Sequence, residues 1–448
     1  MKKILLLNQE GCQREECCTG SISLKVLPSQ IILAAAYLDK KGKDVAFVDT
    51  QTQNFPNLSE FDIVVVWVST LDGYYEDMKA LKKAKELGKK TILVLNDHYG
   101  VEYEVMEKNP FVDVCIRLFE REIVLDKVIS YWQNNINKLD FKGVIYRDGD
   151  KLVDTGTMPF LKDLSHLGSA EKILKGLKLS KYDEAFITTG RGCPLQCTFC
   201  QYPQTSTRKR EIKDIFAEAS LISAEIDYYN YSDLNLCANL PWANNFLDEL
   251  AKQKFSGGWV ADMRADQARP ELLDKFRKAG CARLLIGVES LDDYVLKQIR
   301  KRTNKELVEK SIKNILNAKI NPITSLMVGF PWDSNETLQK SEEFIKKMSI
   351  SLFGISYVVP IKGTVLYEDY KKLGLIKKDL GVEDYVNSMS YPLSPTLHLS
   401  KEEIVNWSKR LQKIRFNPWY MTNYVIRNGF KPRYVKSFIK RLQNYQSG

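Results

Sequence analysis

The stretch Gly190-Arg191-Gly192-Cys193-Pro194-Leu195-Gln196-Cys197-Thr198-Phe199-Cys200 decides how this chain is read. It follows an apolar, β-branched run at Glu184–Thr189 and precedes a helical pattern at Ile212–Glu225, so it forms the first loop of a strand-and-helix series. Further strand-like runs fall at Asp227–Tyr231, Trp259–Asp262, Ala282–Val288, Ile323–Val328 and Gly354–Val358, separated by helical patterns that include Pro270–Ala279 and Lys305–Ala318. Alternation of this kind builds a parallel sheet with helical crossovers. Six such units exceed what a nucleotide-binding sheet needs and fall short of the eight that close a full barrel, so a partial (β/α)6 barrel is expected over residues 181–395.

Three thiols at x3 and x2 spacing on one short loop, Cys193, Cys197 and Cys200, can hold three irons of a 4Fe-4S cube. The fourth iron is then open to chelation by a substrate. A three-cysteine zinc site and three incidental buried thiols are the competing readings. Closed structural zinc wants a fourth ligand, and no histidine or further cysteine lies near in sequence.

Upstream, residues 1–135 alternate in the same way on a smaller scale. Strands are expected at Lys3–Asn8, Asp44–Asp49, Asp62–Val68 and Lys90–Asn96, with helices at Ser29–Lys41 and Gly73–Leu87. This is a Rossmann-like α/β layer, whose ligands sit at the carboxyl ends of the strands. Residues 136–180 read as a connector holding a β-hairpin around Asp148-Gly149. Residues 396–448 read as a basic, aromatic, helical tail.

Composition excludes other classes. Hydrophobic residues are 44% and charged residues 27%, unlike disordered, collagen-like or disulfide-stapled chains. The longest apolar runs, Ile31–Leu38 and Ile63–Val68, fall well short of the roughly 20 residues that span a bilayer. The start, Met1 to Asn8, reads as a first strand rather than a leader. Nine cysteines, an odd number, point to a reducing compartment and a cytoplasmic protein. The net charge of +10 resides in residues 404–448, which hold ten Lys or Arg and no Asp or Glu. That tail suits a helical cap over the barrel mouth, and peripheral contact with an anionic membrane or a phosphorylated or carrier-bound substrate is its rival reading. Nucleic acid is not expected as a partner, since no reader domain accompanies the charge.

With Phe199 before the last cysteine, the triplet resembles the motif of the radical S-adenosylmethionine (SAM) superfamily. Trp259 to Asp266, Ala279-Gly280-Cys281, Gly287-Val288-Glu289-Ser290, Met327 to Pro331 and Pro360 to Thr364 look like successive motifs of its cobalamin-binding subgroup. The resemblance implies that the open iron chelates SAM and that an electron from an external flavodoxin- or ferredoxin-type reductant cleaves it. The product is a 5′-deoxyadenosyl radical, which takes hydrogen from an inert carbon of a small-molecule or carrier-bound substrate. Charge suggests roles within it: Arg264 for the SAM carboxylate, Glu289, Ser232 and Asp233 for its ammonium or ribose, and backbone at Gly329 for adenine.

Residues 1–130 resemble the cobalamin-binding domain of the same subgroup, through Pro28 to Leu38, Asp49 and Phe61 to Val65. No Asp-x-His-x-x-Gly motif is present, so a histidine below cobalt is not expected. Two departures narrow the corrinoid space: Leu95-Asn96-Asp97-His98-Tyr99-Gly100 replaces a Gly-Gly pair, and Leu118-Phe119-Glu120-Arg121-Glu122 replaces a Gly-Glu-Gly-Glu segment. Methylation of an unactivated carbon with methylcobalamin is the leading activity implied. A cobalamin-independent rearrangement, dehydration, oxidation or cyclisation is the alternative, and an iron–sulfur electron carrier or redox sensor is the reading from another class. A methylthio-transferring enzyme is disfavoured, because the N-terminal cysteines Cys12, Cys17 and Cys18 bunch together. One of those three thiols facing cobalt or substrate, or all three merely packed in a loop, both remain open. So do a proton-carrying and a loop role for His98. His166 and His398 receive no assignment, and Cys115, Cys237 and Cys281 read as small core hydrophobes.

Overall fold

The computed structural model describes residues 2–9, 25–68, 71–95, 100–117, 120–136, 138–202, 205–350, 352–388, 390–420, 422 and 426. Cys12, Cys17, Cys18, His98 and the tail from 427 lie outside them.

The first sheet begins with β1 (Lys3–Asn8). Beyond β2 (Val26–Leu27) and α1 (Ser29–Lys40) come β3 (Asp44–Asp49), β4 (Ile63–Val68), α2 (Tyr74–Glu86), β5 (Lys90–Leu95), α3 (Glu102–Lys108), β6 (Val114–Ile116) and α4 (Arg121–Gln133). Strands β3, β1, β4, β5 and β6 lie side by side and parallel. The β4 sequence Ile-Val-Val-Val-Trp-Val is buried at every position, as a central parallel strand covered on both faces must be. The expected hairpin, β7 (Val144–Asp148) and β8 (Lys151–Asp154), is not a free connector. It pairs antiparallel onto β6, so the first sheet extends to Asp154, and the otherwise open backbone edge of β6 is satisfied.

After α5 (Glu171–Lys175), the second sheet is built from β9 (Glu184–Thr188), β12 (Tyr228–Ser232), β13 (Gly258–Met263), β14 (Cys281–Glu289), β15 (Asn321–Val328) and β16 (Leu352–Tyr357). A small antiparallel pair, β10 (Gly190–Arg191) and β11 (Arg208–Lys209), brackets the cysteine loop. The crossovers are α6 (Ile212–Glu225), α7 (Leu240–Leu250), α8 (Pro270–Lys278), α9 (Asp293–Gln298) with α10 (Lys305–Asn317), and α11 (Asn335–Lys347). Asp292, Asn304 and Ser334 cap α9, α10 and α11, each accepting from the backbone N–H three residues on. This is the six-stranded parallel half-barrel. It carries a seventh strand, because β2 pairs in parallel with β9, Val26 opposite Glu184 and Leu27 opposite Ala185.

The two sheets share α1. Ile31, Ala34, Ala35 and Leu38 enter the core of the first sheet, while Ile32, Leu33 and Ala36 enter that of the second. A helix apolar all round is what such a position demands. Arg210 locks the start of the barrel: fully buried, it donates to Glu218, to the carbonyl of Thr188 at 2.7 Å and to that of Gly168 at 2.6 Å.

Beyond β16 the chain forms α12 (Val365–Lys372), α13 (Val382–Asn387) and α14 (Lys401–Lys413). The expected cap over the barrel mouth is not what α14 does. It lies against β15 and β16 beside α11, where Trp407 donates to Asn335 Oδ1 at 2.7 Å and Arg410 pairs with Glu342 at 2.6 Å. Arg415 then donates to the Phe353 carbonyl of edge strand β16 at 3.0 Å. The apolar stripe Ile404, Trp407 and Leu411 is consumed in the barrel core, which leaves none of it for the mouth. Among the described residues no helix is long and apolar enough to cross a membrane.

Candidate active site

A cavity of about 400 Å³ opens where the carboxyl ends of the barrel strands face the first sheet. From the barrel it is lined by Thr188 and Gly190 at and after the end of β9, Ser232 and Asp233 at and after the end of β12, Asp262 and Arg264 of β13 and its loop, and Gly287 and Glu289 of β14. From the other side come Gln30 of α1 and Glu120 and Arg121 at the start of α4.

The cysteine loop borders this cavity through Gly192. Gly192 has φ +94°, and a Cβ there would lie 2.4 Å from the Ser206 carbonyl, so the turn that launches the loop requires glycine. Backbone bonds then fix its path: Thr205 N–H to Cys193 O at 3.0 Å, Thr198 N–H to Ile299 O at 3.1 Å and Leu366 N–H to Thr198 O at 2.9 Å. Cys193, Cys197 and Cys200 are free thiols, all partly buried. Burial pushes the Cys197 thiol up, while the cations of Lys301 and Arg264 pull it down; burial likewise raises Cys200. Three thiols on one loop, with the cations of Lys301 and Arg264 acting on Cys197, suit a metal cluster as counterpart, and the donor set fits 4Fe-4S. Phe199 packs 5.9 Å from Phe330, with Lys301 Nζ 5.8 Å from its ring centre.

Facing the loop, the polar residues are held in place. Asp233 is buried, accepts from Lys209, and takes the Thr189 hydroxyl at 3.2 Å. Burial raises its carboxyl, and Lys209 opposes that. A Cβ on Gly190 would sit 2.6 Å from Asp233 Oδ2, so glycine is what lets this carboxylate reach the cavity. Arg264 is held by Asp266 at 2.9 Å and by the Lys301 carbonyl at 3.2 Å. Glu289 sits in left-handed backbone, φ +63°, at a bulge between β14 and β15, and accepts from Lys301 at 2.7 Å. A non-glycine residue held at positive φ in a cavity wall is strain of the kind that functional sites store.

Two groups that the sequence reading did not single out stand in this constellation. Lys301 links Glu289, Phe199 and Cys197. Asp262 lies on the cavity-facing side of β13, two residues before Arg264, and has no hydrogen-bond or ion-pair partner among the described residues. Burial, with the Asp233 charge adding to it, pushes its carboxyl up to about 7. The period-two alternation of Val260, Asp262 and Arg264 was the available signal. Gly329, by contrast, is outside the cavity wall. At φ +105° it donates its N–H to Asp333 Oδ2 at 2.9 Å, and the space beside its Cα is taken by Ile404, so its glycine serves a turn.

Where the sheets meet, Glu120 and Glu122 are buried, and Arg191 and Arg208 reach across from the barrel to them. His166 adds a contact to Glu122 at 2.7 Å. Burial works against the Glu122 charge, but Arg191 and His166 outweigh it and hold the carboxyl well below its usual range. Arg121, between the two acids, donates to Gln30 and lies over the Trp67 ring.

Residues 187–345 match the Radical SAM superfamily. Among curated proteins, the chain is 24% identical over 449 residues to the anaerobic magnesium-protoporphyrin IX monomethyl ester cyclase of Cereibacter sphaeroides, covering 92% of this chain and 71% of that one. It is 25% identical over 385 residues to the bacteriochlorophyllide d C-12(1)-methyltransferase of Chlorobaculum tepidum, covering 83% and 78%. Among solved structures it superposes on the radical S-adenosylmethionine methyltransferase TsrM from Kitasatospora setae, a structure with cobalamin and a 4Fe-4S cluster bound. The TM-score is 0.66 at 13% identity, covering 85% of this chain and 80% of that one, a likeness of fold.

Proposed function

We propose that this chain, whose residues 187–345 match the Radical SAM superfamily, is a radical SAM enzyme that methylates an unactivated carbon of a small-molecule or carrier-bound substrate, with cobalamin as methyl carrier. The observation that carries this reading is the shared cavity, in which the ligand-binding edges of both sheets face one space. The likeness to TsrM and to a bacteriochlorophyllide methyltransferase supports it.

When bound, the cluster and SAM supply a 5′-deoxyadenosyl radical that abstracts hydrogen from substrate. The residues of this chain bind, orient and exclude water. Cys193, Cys197 and Cys200 would hold the cluster; Arg264 would receive the SAM carboxylate, and Glu289, Ser232 and Asp233 its ammonium and ribose hydroxyls. Lys301 and Asp266 keep the charged partners in position before SAM arrives, so little side-chain ordering remains. Asp262, poised near neutrality beside that site, takes up a proton released by substrate or holds a substrate N–H or O–H. Gln30, Glu120 and Arg121 form the described wall on the side where a corrinoid would lie. The reaction requires an external one-electron reductant. We place the protein in the cytoplasm, with membrane contact left to the tail beyond the described residues.

A specific observation favours a second reading. Arg121 stands where the subgroup carries glycine, and its acidic neighbours Glu120 and Glu122 are already paired with Arg191 and Arg208 rather than open to a corrinoid. A cobalamin-independent radical reaction, such as cyclisation, then follows. Anaerobic reconstitution with hydroxocobalamin, desalting and an absorbance scan separate the two: corrin bands comigrating with protein support methyl transfer, and their absence removes it.

A further inference from the structure

The segment 297–305 carries five cations, Lys297, Arg300, Lys301, Arg302 and Lys305, and no acid, in a chain whose first 403 residues are formally neutral. Lys301 turns inward to Glu289. Lys297, Arg300 and Arg302 point to solvent and have no ion-pair partner among the described residues. They surround an open groove of about 590 Å³ whose other wall is Gln196, the residue before Cys197. The groove is joined to the cysteine loop by the 3.1 Å bond from Thr198 N–H to the Ile299 carbonyl. A basic concavity therefore lies on the solvent side of the cluster loop, while the SAM-facing residues occupy its other side.

Arg300 and Arg302 adopt φ +53° and +54°, a conformation in which glycine or asparagine would be relaxed and arginine is strained. At Arg300 this conformation closes the C-terminus of α9, where the Lys301 N–H donates to the Leu296 carbonyl at 3.0 Å, and it turns the two guanidinium groups outward.

We propose that Lys297, Arg300 and Arg302 form the docking surface for the reductant, a small acidic protein of the flavodoxin kind that carries its flavin near an acidic face. The proposal rests on the radical SAM reading of the cluster. One electron leaves the flavin hydroquinone, which becomes the semiquinone, and the oxidised 2+ cluster becomes 1+; no proton or group is transferred. Complementary charge at the contact raises the encounter rate and makes it salt-dependent.

The test uses the cluster-loaded full chain and a purified bacterial flavodoxin, with binding read by calorimetry and cluster reduction by the bleaching of its visible absorbance. The variant Lys297→Glu/Arg300→Glu/Arg302→Glu is expected to bind flavodoxin and take its electron at least about tenfold more weakly at low ionic strength. Its iron content and its reduction by dithionite stay as in the parent. Raising salt to about 0.2 M brings the parent down toward the variant. Should the reversal variant lose its cluster, Arg300→Gly/Arg302→Gly, which suits the backbone there, removes two charges and must show the same direction. Unchanged binding and reduction by flavodoxin in either variant overturns the proposal. So does an equal loss in Lys409→Glu/Lys413→Glu on α14, which would make net charge the cause. A cluster that dithionite reduces but that never cleaves SAM refutes the radical SAM chemistry instead, and the flavodoxin comparison still decides the docking surface.

Discussion

Replacing Asp262 with asparagine removes a charge that the fold is poorly built to hold. Its carboxyl titrates at about 7 in the folded chain, against an ordinary value of 3.8, because it is desolvated and faces Asp233. A raised carboxyl binds its proton more tightly folded than unfolded, so it contributes a penalty that starts as pH rises past about 4 and is complete above the folded value. At about 1.4 kcal/mol per unit, the penalty is about 2 kcal/mol at pH 5.5 and about 4 kcal/mol at pH 8. Asp262→Asn, close in shape, should therefore be the more stable protein, with an advantage that widens by about 2 kcal/mol over that range. Anaerobic urea unfolding of both proteins at several pH values measures the gap. SAM cleavage coupled to product formation should fall in the same variant, since an amide cannot take up a proton. A stability gap that does not move with pH would refute the reasoning, because burial without titration has no such slope.

Glu289→Gln keeps the shape of the Lys301 contact and weakens the acceptor, so SAM affinity should drop about tenfold in equilibrium binding while the iron content stays unchanged. Gly287→Ala places a methyl 2.6 Å from Glu289 Oε1 and 2.8 Å from Lys301 Nζ, both ends of flexible chains. Its thermal midpoint should barely move, while its SAM affinity falls as that of Glu289→Gln does. Arg210→Ala strands buried Glu218 and should cost about 3–5 kcal/mol in denaturant unfolding, whereas conversion of both to apolar residues should cost far less.

The half-barrel was legible because its strands are β-branched runs bounded by caps and turns, and those local signals agree with the tertiary arrangement. β2 was not legible: Val26–Leu27 is too short to show alternation, and its partner β9 lies far along the chain. The hairpin was legible as a hairpin from Asp148-Gly149, but its place on β6 depends on an edge that sequence does not display. At the site, the cysteine triplet, Arg264 and Glu289 announced themselves by type and spacing. Lys301 did not, since a lysine in a run of cations looks like solvated surface until its partner Glu289 is placed beside it. Gly329 misled for a related reason: glycine marks a close approach or a positive φ, and only coordinates show that here the need is the turn held by Asp333. The α14 stripe of Ile404, Trp407 and Leu411 signalled a covering helix without saying which surface it covers.

The central claim is that three sulfurs hold a cluster whose free iron receives SAM. Protein reconstituted anaerobically with iron and sulfide, reduced with dithionite and mixed with SAM should hold about four irons per chain and release 5′-deoxyadenosine. The Cys193→Ala/Cys197→Ala/Cys200→Ala variant should do neither. A variant that keeps the parent's iron, or a parent that holds its cluster and releases no 5′-deoxyadenosine, contradicts the account.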